Sequence, residues 1–385
     1  MSLWSGSTSA IYPDSNLQRN GGGTAVKEGY LIKAAGGASK ALAEFLKSLL
    51  EKNIFEAVLV PVRTNEGYNY VLTKNTDLLD KAEIMPPVMS VQGGKVLQAL
   101  TRHGKSGKIA AVMRMCEIRA AVELSKLKQT DLENVFFISV DCHGVTQLSD
   151  YLEDQSNAGK KLRPLCKICT SFSVVGDEEL EAVDIHAATM GVDKGEVLLI
   201  PMSPDGEETL GKLGIDEKRD TGNWVKEIEK LRKERLAARE KALAETKETV
   251  KTLNGLMEAF SRCIECHNCR SVCPICYCRL CFSDKETFLE TGEEYLDLAK
   301  VQGVMKCTDG VLQFHLGRMS HMSLSCVSCG MCEDACPMDI PVGQIFSVVA
   351  EQTQAIFDYV PGKSPDEEQP LRTFGLDELT EVEDR

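Results

Sequence analysis

The chain has 385 residues, 43% of them hydrophobic, with a formal net charge of −14 and sixteen cysteines. That is enough chain for two or three domains with real cores, and the acidic balance excludes nucleic acid as the main partner, because phosphate binding needs a basic face. No apolar run is long enough for a transmembrane segment and no secretory signal is read at the N-terminus, so a cytoplasmic, reducing location is expected.

Residues 1–29 are rich in Ser, Gly and Asn, include Gly21-Gly22-Gly23, and read as a flexible arm. A domain is expected over 30–221. Gly36-Gly37-Ala38-Ser39 precedes an amphipathic helix in which Leu42, Phe45, Leu46, Leu49 and Leu50 recur at helical spacing, opposite Glu44, Lys47 and Glu51. Ser39 is its expected cap. Phe55 to Val62 reads as a buried strand and Tyr68 to Thr73 as its hairpin partner. Further strands are expected at Lys108–Arg114, Val135–Asp141 and Glu196–Pro201, with a helix from Glu117 to about Lys128 between the first two. Alternating strands and helices predict an α/β domain with a parallel or mixed sheet. Ligands of such sheets bind at the carboxyl ends of the strands. Cys116 and Cys142-His143-Gly144 follow two strands there.

Residues 222–262 place Trp224, Ile228, Leu231, Leu236, Leu243, Val250, Leu253, Leu256 and Phe260 among many Lys and Glu, and read as a long linking helix. Residues 263–350 form a cysteine-rich module with a helix around Glu286–Leu298. Residues 351–385, with Asp366-Glu367-Glu368, read as an acidic tail, disordered or partner-docking.

The module carries the strongest signal. Cys263, Cys266, Cys269 and Cys273-Pro274 have the spacing Cys-x2-Cys-x2-Cys-x3-Cys-Pro, and so do Cys326, Cys329, Cys332 and Cys336-Pro337. This is the ligand spacing of bacterial-type ferredoxins with two 4Fe–4S clusters. Three thiolates two residues apart wrap one cubane, while the fourth serves the other cluster. One cluster is then expected at Cys263, Cys266, Cys269 and Cys336, the other at Cys326, Cys329, Cys332 and Cys273. Structural zinc is the alternative, but zinc favours two close pairs across a longer gap.

Eight cysteines remain. Cys116, Cys142, Cys166 and Cys169 suit a third 4Fe–4S cluster; the alternatives are a redox disulfide at Cys166-Lys-Ile-Cys169 and two core thiols. The residues after Cys169 make a poor helix start, unlike a thioredoxin motif. Cys276, Cys278, Cys281 and Cys307 suit a fourth cluster, a zinc site or unligated thiols. His103, His186, His315 and His321 are isolated. His267 is expected to donate a hydrogen bond to a cluster, and His143 stands beside a strand end. No Ser/His/Asp set, P-loop or Gly-x-Gly-x-x-Gly fingerprint is present, and no catalytic residue is assigned.

Gly36-Gly37-Ala38-Ser39 before a helix, Cys116-Glu117-Ile118-Arg119-Ala120 and Asp141-Cys142-His143-Gly144 together resemble the beta-subunit family of coenzyme F-420 (F420) hydrogenases and dehydrogenases, formate dehydrogenase beta subunits included. The resemblance covers roughly residues 30–350. It implies an α/β flavin-binding domain, the linking helix, and an α+β two-cluster ferredoxin module. It implies FAD near the Gly36–Ser39 turn, a proximal cluster on Cys116, Cys142, Cys166 and Cys169, and hydride exchange with F420 or NAD(P). Single electrons then pass to a catalytic dehydrogenase or heterodisulfide-reductase-like subunit of a hetero-oligomeric complex. Met115 stands where family members often have Pro. The alternative is a flavin-free iron–sulfur electron-relay and docking subunit.

Overall fold

The computed structural model describes residues 28–65, 67–102, 107–175, 180–284, 291–303 and 310–372. The arm through residue 27, His103, Cys307 and the end of the acidic tail lie outside the described residues.

Eight strands form one sheet: β1 Glu28–Lys33, β2 Ala57–Thr64, β3 Gly67–Thr73, β4 Ile109–Arg114, β5 Val135–Val140, β6 Ile185–Ala188, β7 Glu196–Pro201 and β8 Lys218–Asp220. Their order is β3-β2-β4-β5-β6-β7-β1-β8. β2, β4, β5 and β6 are parallel neighbours; the other pairs are antiparallel. Two antiparallel steps through β7 leave β1 running with those four. The carboxyl ends of β1, β2, β4, β5 and β6 therefore share one edge of the sheet. The expected strands are present, with bounds shifted by up to two residues, while β1, β6 and β8 carry no clear period of their own. Pro61 is tolerated inside β2 because the pairing with β4 ends at Leu59, so its missing N–H interrupts no ladder on that side.

Alternation along the strands feeds two cores. Val58, Val60, Ala110, Val112 and Ile138 face α1 (Ala38–Glu51) through Leu42, Phe45, Leu46 and Leu49. Leu59, Ala111, Met113 and Phe137 face the opposite side, covered by α2 (Gly93–Thr101) and α3 (Met115–Lys126) through Leu97, Met115, Ile118 and Val122. Gly37, not Ser39, is the N-cap of α1, with φ of 96°; Ser39 Oγ instead donates to Glu83 at 2.7 Å. Helices α4 (Leu148–Glu153), α5 (Pro164–Lys167) and α6 (Pro204–Leu213) complete the domain.

The linking helix is two helices. α7 spans Gly222–Val250, and Thr252 caps a second, α8, over Leu253–Ala259 by accepting from the Gly255 N–H. Trp224, Ile228, Arg235 and Leu243 bury one stripe of α7 against the rest of the protein, so α7 is packed along its length. Beyond it come α9 (Asn268–Ser271), α10 (Gly292–Gln302), α11 (Val311–Met322), α12 (Met331–Asp334) and α13 (Val342–Ile356). Among the described residues the module has no strand, where an α+β module was expected. Left-handed backbone at Glu265, His267, Ser328, Gly330 and Asp339 breaks the cysteine loops before an extended run can form.

Residues 351–372 differ from a loose tail. α13 runs to Ile356, and the chain then returns over α3. There Tyr359 Oη donates to buried Glu123 at 2.6 Å, the Gly362 N–H donates to it at 2.7 Å and Gln369 at 2.8 Å. Lys126 joins Tyr359 and Glu367 at 2.9 and 2.8 Å.

Module and sheet domain meet at a buried ion pair. Arg163 donates to Asp334 at 2.7 Å and to the Met89 carbonyl at 2.9 Å, while the Leu148 N–H donates to the other Asp334 oxygen at 3.0 Å. Both side chains are almost wholly buried. Asp334→Ala leaves the guanidinium buried and unpaired, and is expected to cost about 3–5 kcal/mol in denaturant unfolding. An Arg163→Met, Asp334→Leu double variant should recover most of that loss.

Candidate functional site

Cysteines gather at two places, the shared strand edge and the module. At the edge, β4 delivers Cys116 in the first turn of α3 and β5 delivers Cys142. Cys166 lies in α5 and Cys169 follows it. Gly144 makes this meeting possible: its φ is 104°, and a Cβ there would lie 3.0 Å from the Cys166 Cβ. The Cys142 thiol acts electrostatically on Cys116, Cys166 and Cys169, so the four are neighbours. Burial, with Cys166 and Cys142 alongside, pushes the Cys169 thiol up to about 12, and burial drives Cys116 well above its ordinary value.

Three basic side chains back this set. Arg114 is buried and, although burial opposes its charge, Cys142, Glu117 and Cys116 hold it firmly protonated. Arg163 stands three residues before Cys166. Arg235 of α7 donates to the His143 carbonyl at 2.8 Å and lies 4.5 Å over the Phe172 ring. Sequence reasoning missed all three. The signal for Arg235 was present: it falls on the apolar stripe of α7 with Trp224 and Ile228, where a cation is out of place.

Asp141 holds the Cys142 turn. It accepts from His186 Nε2 at 3.0 Å, from the N–H groups of Thr189 and Met190 at 2.8 and 3.1 Å, and from Trp224 Nε1 at 3.0 Å. Burial alone would raise its pKa, but His186 and these donors leave it lowered. Ser139 Oγ meets His186 Nδ1 at 2.7 Å. A Ser/His/Asp set therefore exists where none was expected, because the three come from two different strands. All three are fully buried, so the set ties β5 to β6 rather than meeting a substrate.

In the module, Cys263, Cys266, Cys269 and Cys336 line one small cavity, together with Phe314 and His315. The Cys273 thiol acts on Cys326, Cys329 and Cys332. Burial and Cys273 push Cys329 up to about 12. The structure brings together the residues that the spacing groups. His315 Nε2 lies 3.5 Å from Cys263 Sγ, and His267 stacks on Phe314 at 4.1 Å. Arg318 donates to Cys269 Sγ at 3.1 Å and to its carbonyl at 3.2 Å.

The donor chemistry fits a polycationic core. Burial pushes the thiols of Cys116, Cys166, Cys169, Cys263, Cys269, Cys326, Cys329 and Cys332 up, whereas Cys273, hydrogen-bonded by Cys276, is lowered to about 6; a metal centre would supply the charge that buried thiolates need. Among the described residues no three His, Cys, Asp or Glu side chains close on one point as ligands of a single ion would; ligands of a four-iron cube each hold a different iron. Every described cysteine is a free thiol. Of the last expected foursome, Cys276 lies against Cys273 and Met322, Cys278 is exposed and Cys281 is half-buried.

The sets stand in series. Cys116 and Cys329 act on one another, and both pack with Cys166 against Met89, Val145 and Met331. The set of Cys116 and the set of Cys329 therefore meet across the domain seam. Within the module, Cys269 and Cys273 belong to one short loop and helix.

The Gly36–Ser39 turn lies at the same strand edge. No side chain caps α1, no acidic residue occupies its first turn, and a Cβ on Gly37 would meet open space. Free N–H groups at such a terminus suit an anionic group.

Cysteine foursomes on a mixed α/β sheet and its attached module are donor sets suited to electron transfer, the chemistry of an oxidoreductase subunit. Curated relatives make this particular. F420-dependent formate dehydrogenase subunit beta of Methanocaldococcus jannaschii is 27% identical over 383 residues, covering 88% of this chain and 95% of that protein. F420-dependent formate dehydrogenase 1 subunit beta of Methanococcus maripaludis is 29% identical over 406 residues, covering 87% and 92%. The chain is thus related over most of its length to these beta subunits, in agreement with the resemblance read from its sequence. A chain of the F420-reducing NiFe hydrogenase complex from Methanosarcina barkeri aligns with a TM-score of 0.47 and 15% identity, over 60% of this chain and 94% of that one. No family model matches the chain. Among the described residues no helix is long and apolar enough to cross a membrane.

Asp141→Asn removes the charge that four donors share. It is expected to lower stability by about 1.5–3 kcal/mol in denaturant unfolding.

Proposed function

We propose that the chain is the flavin and iron–sulfur electron-transfer subunit of an F420-linked formate dehydrogenase or a related complex. The observation that carries this is the serial adjacency of three cysteine foursomes, from the strand edge across the seam into the module. A bound flavin would take up two electrons with a proton and give the electrons up singly. The uncapped start of α1, at the strand edge that also presents Cys116 and Cys142, suits the anionic part of such a cofactor. The foursome Cys116, Cys142, Cys166 and Cys169 would hold the entry cluster. Cys273, Cys326, Cys329 and Cys332 would hold the next, and Cys263, Cys266, Cys269 and Cys336 the last. Buried Arg114, Arg163 and Arg318 offset the negative charge of these ligands. The electrons would leave to a catalytic formate dehydrogenase subunit or, as a second candidate, a heterodisulfide-reductase-like subunit, in the cytoplasm.

Purified without oxygen, the chain should carry one FAD and about twelve irons, four for each of three cubanes; about sixteen would add Cys276, Cys278, Cys281 and Cys307. F420 should reoxidise or reduce it faster than NADH or NADPH in parallel assays. A chain with full iron and no flavin would make it a relay and docking subunit instead.

Cys166→Ser should retain about eight irons and lose the entry cluster. Full iron content in that variant would remove Cys166 from the ligand set.

A further inference from the structure

We propose that His315 and Arg318, three residues apart on α11, draw the electron toward the site of Cys263, Cys266, Cys269 and Cys336 and make it the higher-potential end of the module. The inference rests on reading the module's cysteines as two four-iron sites, and deepens that reading. The two motifs have identical spacing, so nothing in the spacing distinguishes their sites. α11 does, because it comes from the segment between the motifs and packs beside the cavity.

His315 stacks on Phe260 at 3.8 Å with the rings nearly parallel, which fixes the imidazole with Nε2 facing Cys263 Sγ at 3.5 Å. Its Nδ1 is buried and has no partner among the described residues. With Cys263 as a ligating thiolate, its sulfur would accept from the ring, which places the proton on Nε2. Arg318 sits 4.7 Å over the Phe346 ring and donates through Nη1 to Cys269 Sγ at 3.1 Å. Its charge also reaches Cys273, Cys276 and Cys332, at lesser effect than Cys269. The other set has backbone N–H donors, Ser328 to Cys326, Met331 to Cys329, and Ile275 and Cys276 to Cys273, and it feels Arg119, Arg239, Arg163 and Arg318 as nearby charges. What sets the cavity site apart is a guanidinium and an imidazole aimed directly at its sulfurs, at 3.1 and 3.5 Å.

An N–H donor or a buried positive charge at a ligating sulfur stabilises the more negative, reduced state of the site and raises its potential. In a buried setting the effect is larger than in water. The step is the passage of one electron from one site to the other; no bond forms or breaks and no proton moves. His315 and Arg318 are positioning residues, since each acts through a cysteine.

The test is a redox titration of the full chain, purified anaerobically with its clusters and followed by electron paramagnetic resonance. Cys266→Ser identifies the signal of the cavity site. His315→Phe, which keeps a ring against Phe260, and Arg318→Gln should each shift the electron's distribution between the two sites tenfold or more away from the cavity site, about 59 mV for a one-electron couple. Arg318→Lys, which keeps the charge without the fork, should shift it less. Loaded variants whose distribution stays within twofold of the original overturn the inference, and so do variants in which both sites move equally. Loss of iron in both His315→Phe and Arg318→Gln assigns these residues a structural role and overturns it as well. A wild-type chain with no cluster signal overturns the cluster reading itself, a result distinct from unchanged potentials in a loaded chain.

Discussion

The Arg163–Asp334 pair is the contact on which the arrangement of cysteines depends. Arg163 begins the turn that carries Cys166, and Asp334 lies between Cys332 and Cys336. One bond of 2.7 Å thus brings cysteines of three foursomes to a fixed separation. Met89 and Met331 surround the guanidinium and keep water from it. In that setting neither charge can be lost alone without leaving the other buried. The pair specifies a unique docking geometry that apolar packing alone would leave free to slide.

Charge follows the same logic across the protein. The chain is strongly acidic as a whole, yet its cysteine sets are backed by buried Arg114, Arg163, Arg235 and Arg318. Guanidinium suits these places because it stays charged when buried and spreads several donors over sulfur, carbonyl and ring partners at once. The acidic balance of the whole chain and the arginines beside the cysteines are therefore separate features. The first governs what approaches the molecule, and the second what can be held inside it.

Cysteine spacing was legible because it is local: three cysteines two residues apart, then a Cys-Pro, recur twice within a dozen positions each. The strands around Val58, Val112 and Ile138 were legible for the same reason, being continuous apolar runs. β6 was missed because Ile185–Ala188 is too short to show a period, and it exists through pairing on both sides. His315 and Arg318 were not legible at all. Their roles arise from a helix that returns to the first motif some fifty residues on, and no pattern near either residue records that return. The foursome ending in Cys307 resisted assignment for a related reason, since its spacing matches no compact ligand loop. Ser39 failed as a cap because a glycine already occupies the one backbone position where α1 can start.

The return of residues 359–369 over α3 has a mechanical meaning. The chain leaves the sheet domain through α7, builds the module, and comes back to be fastened at Glu123 and Lys126, with Gln369 also reaching Ser325 beside the second motif. Covalent exit at one side and hydrogen-bonded re-entry at the other close the two bodies into a ring. A module tethered at one end could swing, and tunnelling between its centres and the sheet edge would then wait on diffusion of a hinge. Closed in this way, the spacing between the cysteine sets is a constant of the fold, and transfer between any centres held there would be paced by distance and energy.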